Sequence, residues 1–134
     1  MADAGVNRDW AFRELKYSLQ ALAVPAADQI RAQTPACVVQ DELLLDYDHS
    51  YEVLSQHFGS ELTGEQRTAL RRVHEHSDQW TEQDNAGDPL EDLARRPFWV
   101  TMRSFAAEAL ARMRWPVEPP PPYKPLGDGV WQRQ

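Results

Sequence analysis

Apolar residues recur along this chain at three- and four-residue steps, interrupted at intervals by proline and glycine. Phe12, Leu15, Leu19 and Leu22 follow that rhythm. They predict an amphipathic helix from about Asp9 to Ala23, with Asn7 or Asp9 accepting from the free N–H groups of its first turn. Pro25 biases Val24 away from helical geometry and ends this helix, and Ala26 to Ala32 restart as a short piece with Pro25 in its first position. Pro35 closes that piece. Ala36 to Val39 is too short an apolar run to found a sheet, and it reads as a buried connector.

A central helix is expected to begin near Asp41, or after a delay at Asp46, and to end at Gly59, whose permissive backbone suits the left-handed position after a helix. At roughly 100° per residue, Leu43, Leu44, Tyr47, Tyr51, Leu54 and Phe58 gather on one side. Asp41, Asp48 and Glu52 fall on one outer flank of that stripe, and Glu42 and Asp46 on the other. Leu45 lands among the acids. Its position implies either a later helix start or an apolar spot inside a binding face. Tyr47, Tyr51 and Phe58 read as core rather than as a cofactor site.

Thr63 with Gln66 forms a capping-box signature for the next helix, whose thinner stripe is Leu70, Val73, Ser77 and Trp80. The polar run from Thr81 to Gly87 predicts a loop. Asp88, Pro89 and Glu91 repeat the start signal for a short helix, and Pro97 opens the last long one, which Trp115 and Pro116 end. Phe98, Met102, Phe105, Ala109 and Met113 make its stripe, widened by Trp99, Ala106 and Leu110. Pro119 to Pro122 are consecutive and favour an extended polyproline strand. The expected fold is therefore all-α: a compact bundle of about four to six helices over residues 1–115, with an extended proline-rich C-terminal tail over 116–134 docked on it. No helical-repeat period is visible.

Composition narrows the class of protein. A chain of 134 residues that is 42% hydrophobic can bury a proper core. Its net charge of −7 disfavours non-specific attraction to nucleic acid or to an anionic membrane surface. The single cysteine, Cys37, cannot form an internal disulfide and reads as a small core hydrophobe, compatible with a reducing compartment. No segment has the ~20 consecutive apolar residues of a membrane span, and Met1 to Asn7 lack the pattern of a secretory leader. A cytoplasmic location is expected.

Charge is also segregated along the chain. Between Ala32 and Gln66 there is no Lys or Arg but seven carboxylates: Asp41, Glu42, Asp46, Asp48, Glu52, Glu61 and Glu65. Arg95, Arg96, Arg103, Arg112 and Arg114 stand against one acid, Glu108, in a later stretch. Either those arginines cover the central acids across the bundle, or the acids face outward and steer a basic partner.

Metal chemistry has two seeds, Asp46 with His49 three apart and His74 with Asp78 four apart. Together these four residues define a candidate ion site. The plain reading of His49, His57, His74 and His76 is as solvated or partly buried side chains. Asp48 and Glu52 could act as an acid–base pair only in a pocket that shifts one of them. The common hydrolase, phosphate-loop and zinc signatures are absent from the sequence. Pro120, Pro121, Pro122 and Tyr123 match the short Pro-Pro-x-Tyr pattern read by aromatic grooves.

Leu44–Leu45–Asp46–Tyr47–Asp48 with Tyr51, Leu62–Thr63 with Glu65–Gln66 and Leu70, and Trp99 with Ala106, Ala107, Glu108, Ala109 and Leu110 resemble small bacterial helical proteins of unassigned activity. The resemblance covers about the first four-fifths of the chain. It implies a bacterial cytoplasmic helical fold and transfers no catalytic residue.

The functional expectation is a non-enzymatic interaction module, immunity- or inhibitor-like, that meets a basic protein partner through Asp41, Asp46, Asp48 and Glu52 and carries no cofactor. A small metal-dependent enzyme on Asp46, His49, His74 and Asp78, and a structural or oligomerising subunit, are the alternatives. The oligomeric state is not readable from the sequence.

Overall fold

The computed structural model describes residues 7–33, 38–81, 87–127 and 130–133, with 124–127 and 130–133 described as backbone alone. Among these residues are six α-helices: α1 Arg8–Ala23, α2 Ala26–Arg31, α3 Val39–Phe58, α4 Gly64–Ser77, α5 Pro89–Arg95 and α6 Pro97–Met113. Helix α1 lies against both α3 and α6, α4 packs on α6 and α3, and the short α2 and α5 close one side. The all-α bundle expected from the periodicity is the observed architecture.

Local chemistry sets the helix ends. The Asn7 side chain accepts from the Trp10 N–H at 2.9 Å. Thr63 and Gln66 make both halves of the capping box, at 3.1 and 2.9 Å. The Asp88 carboxylate accepts from the Glu91 N–H at the start of α5. At the end of α5, Arg103 reaches across from α6 and donates to the Leu93 and Ala94 carbonyls, groups that a helix end leaves without partners. Burial holds the pKa of Arg103 below its ordinary value. Helix α6 stops at Arg114, which adopts the left-handed region at φ 61°, while the Trp115 N–H donates back to the Leu110 carbonyl at 2.9 Å.

Four expectations about local structure change. Helix α3 starts at Val39, without delay, so Leu45 lies well inside a helix. Gly59 takes right-handed values, φ −58° and ψ −31°, because the chain tightens into a 3-10 turn over Gly59–Glu61 instead of reversing. Pro25 is the residue before α2 and not its first position. Val38 is 51% exposed, so the described end of the connector before α3 is not buried. Cys37 lies outside the described residues, as does most of the polar loop after Thr81.

The core forms where the stripes meet. Leu15 and Leu19 of α1, Leu43 and Leu54 of α3 and Leu70 of α4 are all buried, each contributing about 1.5–3 kcal/mol by removal from water. In α6 the buried line runs through Trp99, Met102, Ala106, Ala109 and Leu110. Phe98, Phe105 and Met113 sit at its edge, only partly buried, so residues expected to widen the stripe supply its centre. The Trp99 ring stands edge-on to Trp80 and Phe98, with centroids 5.2 and 4.9 Å apart.

Beyond α6, the Pro116 carbonyl accepts from Gln20 at 3.2 Å, and Pro120 is buried. Tyr123–Gly127 and Val130–Arg133 then form a two-stranded antiparallel ladder, with an irregularity in register between Pro125 and Gly127. The side chains of Leu126, Val130 and Trp131, the apolar residues of this hairpin, lie outside the described residues.

Tyr47 links the core to the outer surface. It is fully buried, and its hydroxyl donates to the Leu70 carbonyl of α4 at 2.7 Å. Tyr47→Phe keeps the ring and removes that bond, so stability should fall by about 0.5–1.5 kcal/mol. Denaturant titration should register this as a lower midpoint with an unchanged slope; an unchanged midpoint would mean that the bond does not hold α3 to α4.

Candidate functional site

The outward side of α3 carries two grooves separated by one residue. One, of about 380 Å³, is lined by Asp41, Leu44, Leu45 and Asp48 from α3, with Ser77, Asp78, Trp80 and Thr81 from the end of α4 and just beyond. The other, of about 330 Å³, is lined by Leu45, Asp46, His49 and Ser50 of α3, with Glu14, Tyr17 and Ser18 of α1 and Tyr123 of the tail. Leu45 lines both and is 60% exposed. The helical count that placed Asp41 and Asp48 on one flank and Asp46 on the other thus describes two grooves. Glu52 is exposed one turn beyond Asp48 and is not among the residues lining either groove.

Asp48 is the most elaborated acid on this face. Its Oδ1 accepts from the Ser77 hydroxyl at 2.8 Å and meets His74 Nδ1 at 3.0 Å. An ionised carboxylate only accepts, so Nδ1 carries the proton and a neutral His74 has its lone pair on Nε2. Nε2 lies 3.9 Å from Oδ2 of Asp78. The imidazole is further fixed by stacking on Tyr51 at 4.8 Å, and Tyr51 in turn stacks on Tyr47 at 5.9 Å. A continuous ring stack therefore runs from the core to the site.

Burial pushes the Asp48 carboxyl above its ordinary value. Hydrogen bonds from Ser77 and His74 and the charge of His74 pull the other way, while Asp78 adds repulsion. Burial also drives the Tyr47 hydroxyl well above its usual range, with Tyr51 and Asp48 adding to the shift. At the edge of this groove the Arg96 guanidinium lies 4.9 Å over the Trp80 ring. The Trp80 indole N–H is buried and has no acceptor among the described residues.

Several chemistries can be read against this geometry. The single Ser77 hydroxyl proton is shared between two acceptors at 2.8 Å, Asp48 Oδ1 and the His74 carbonyl. The hydroxyl is thus tied to a carboxylate and its own helix instead of to an imidazole nitrogen that could take its proton, which is not the arrangement of an activated nucleophile. The four-residue ion site expected from Asp46, His49, His74 and Asp78 is divided: Asp46 and His49 line the groove toward α1, and His74 and Asp78 belong to the α3–α4 side. One helix cannot present Asp46 and Asp48 to the same neighbour, since residues two positions apart differ by about 200° around the axis. The residue that joins His74 and Asp78 is Asp48; one ligand atom from each of the three lies within 4.8 Å of the others.

The arginine-rich stretch finds partners of its own. Arg95 pairs with Glu91 and Arg96 with Asp92 on α5, at 3.8 and 3.3 Å. Arg112 bridges Glu108 of α6 and Glu65 of α4, at 3.0 and 3.6 Å. Glu61 meets Arg8 at 2.6 Å. Two of the seven acids in the base-free stretch, Glu61 and Glu65, are thus paired with arginines.

No family model, curated protein or solved structure matches this chain.

Asp48 also gives a stability signature with a definite sign. A carboxyl whose folded pKa is raised binds its proton more readily folded than unfolded, so its contribution is fully present below the unfolded value and is lost as pH rises through the folded one. Stability should be compared between the parent and Asp48→Asn from about pH 4 upward, with a chelator present. The parent should lose ground to the variant as pH rises; a parent that gains on the variant over that range would contradict the burial of Asp48.

Proposed function

We propose that this protein is a non-enzymatic interaction module, of the immunity or inhibitor kind, that binds a basic segment of another protein across the ridge centred on Leu45. The observation that carries the reading is the exposure of Leu45 between two grooves, with Asp41, Asp48 and Asp78 lining one and Glu14 and Asp46 the other. An apolar contact flanked by carboxylates suits a segment in which lysines or arginines bracket an apolar side chain. The acids steer the approach and set orientation, and the leucine supplies contact that salt does not screen.

Three further observations support this reading. The face sits on a twenty-residue helix anchored by a buried stripe, so little ordering is needed on binding. The net charge of −7 favours a cationic protein over nucleic acid. Arg95, Arg96 and Arg112 pair with Glu91, Asp92, Glu108 and Glu65, which are not among the residues lining either groove.

Leu45→Lys separates this surface from the fold, because the residue is largely exposed and its loss removes little core. Binding should be followed by amide chemical-shift mapping against a synthetic peptide in which lysines and arginines flank a central leucine. Shifts should concentrate at Asp41 to Asp48 and Ser77 to Thr81, weaken with added salt, and fall at least about tenfold in affinity in Leu45→Lys. That variant should melt at the parent's temperature. Shifts mapping elsewhere, or equal binding by the variant, would remove the proposal.

A further inference from the structure

Three metal-ligating side chains converge where α3 meets the end of α4, and partner binding gives no account of their arrangement. His74 lies in the last turn of α4 and Asp78, four residues on, just past its end, and Asp48 faces them from α3. Their side chains are 27%, 65% and 29% exposed, so the cluster is half-sheltered and still reachable from the groove. Two features distinguish it from acids that merely lie near each other. The imidazole is held in one tautomer by Asp48 and in one plane by Tyr51, so Nε2 keeps its lone pair on the side of Asp78. The 3.9 Å from Nε2 to Asp78 Oδ2 is also close to the ~3.3 Å that separates two ligands bound to one ion at ~2.0–2.2 Å.

We propose that His74 Nε2 and Asp78 ligate a divalent transition-metal ion, with Asp48 holding the imidazole from its Nδ1 side and zinc the best-suited probe. An imidazole nitrogen with a carboxylate oxygen is a borderline donor set, which favours Zn²⁺, Ni²⁺ or Co²⁺ over the all-oxygen preference of Ca²⁺ and Mg²⁺. Asp41, which lines the same groove, adds a further negative charge nearby. A dication at this point offsets the repulsion between Asp48 and Asp78. The hydrogen bond from Nδ1 to Asp48 serves the site in the way that carboxylates orient metal-bound histidines, by fixing the ring and raising the basicity of the other nitrogen. Two protein ligands leave the remaining positions of a tetrahedral ion open toward the groove.

The proposal does not depend on the partner-binding reading, because it is tested on the isolated full-length protein. Chelator-treated protein should be titrated with Zn²⁺ by calorimetry, with Mg²⁺ as the hard-cation control, and the His74 ring followed by NMR. One Zn²⁺ per chain is expected, with a shift at His74 Nε2 and negligible Mg²⁺ binding. His74→Ala should weaken Zn²⁺ binding by more than about 100-fold. Asp78→Asn, at an exposed position that the fold does not need, should weaken it by at least about tenfold. His49→Ala, in the other groove, should leave it unchanged. Absence of Zn²⁺ binding by the parent, or binding that survives both His74→Ala and Asp78→Asn, would overturn the proposal.

Discussion

The outer face depends on how α3 is seated against α4, and that seating turns on Tyr47. Its ring is buried with Leu43 and Leu54, and its hydroxyl spans the helix junction to the Leu70 carbonyl. A buried phenol needs a partner, and the carbonyl supplies one at a single rotation and height of α3. Once that position is taken, the next residue, Asp48, faces Ser77 and His74, and Leu45 points outward between two grooves. The ring stack from Tyr47 through Tyr51 to His74 carries the same constraint to the surface.

Much of the fold was legible because its signals are local. Caps at Asn7, Thr63 and Asp88 and the prolines at 89 and 97 mark starts that depend on the chemistry of a few neighbouring residues. The division of the α3 acids was legible for the same reason, since angle around one helix follows from counting. The partner of Asp48 was not. His74 and Ser77 lie 26 and 29 residues away, and counting along α3 says nothing of which neighbour its flank meets. Pairing Asp46 and His49 with His74 and Asp78 failed on that point: each pair has helical spacing, but the two occupy different sides of α3. Gly59 misled differently, because left-handed freedom is a permission, and the 3-10 turn that follows does not use it.

The arginines of the later stretch pair mostly close to home. Arg95 and Arg96 are held by acids one turn away on α5, Arg103 closes the end of α5, and Arg112 lies between Glu108 and Glu65. Helix-local pairs form at little entropic cost, because spacing along one helix already brings the side chains together. The groove beside Asp48 keeps Asp41 and Asp78 along its walls, with Arg96 set over Trp80 at its edge.

Helix α3 is locked in one register against α4, with the Asp48 carboxylate accepting from His74 Nδ1. The tautomer of His74 reads this directly, because an imidazole with no such acceptor ordinarily favours a proton on Nε2. Nitrogen-15 NMR of the chelator-treated protein, at a pH where His74 is neutral, should find the proton on Nδ1, and Asp48→Ala should release it. A parent protein with the proton on Nε2 would contradict the account.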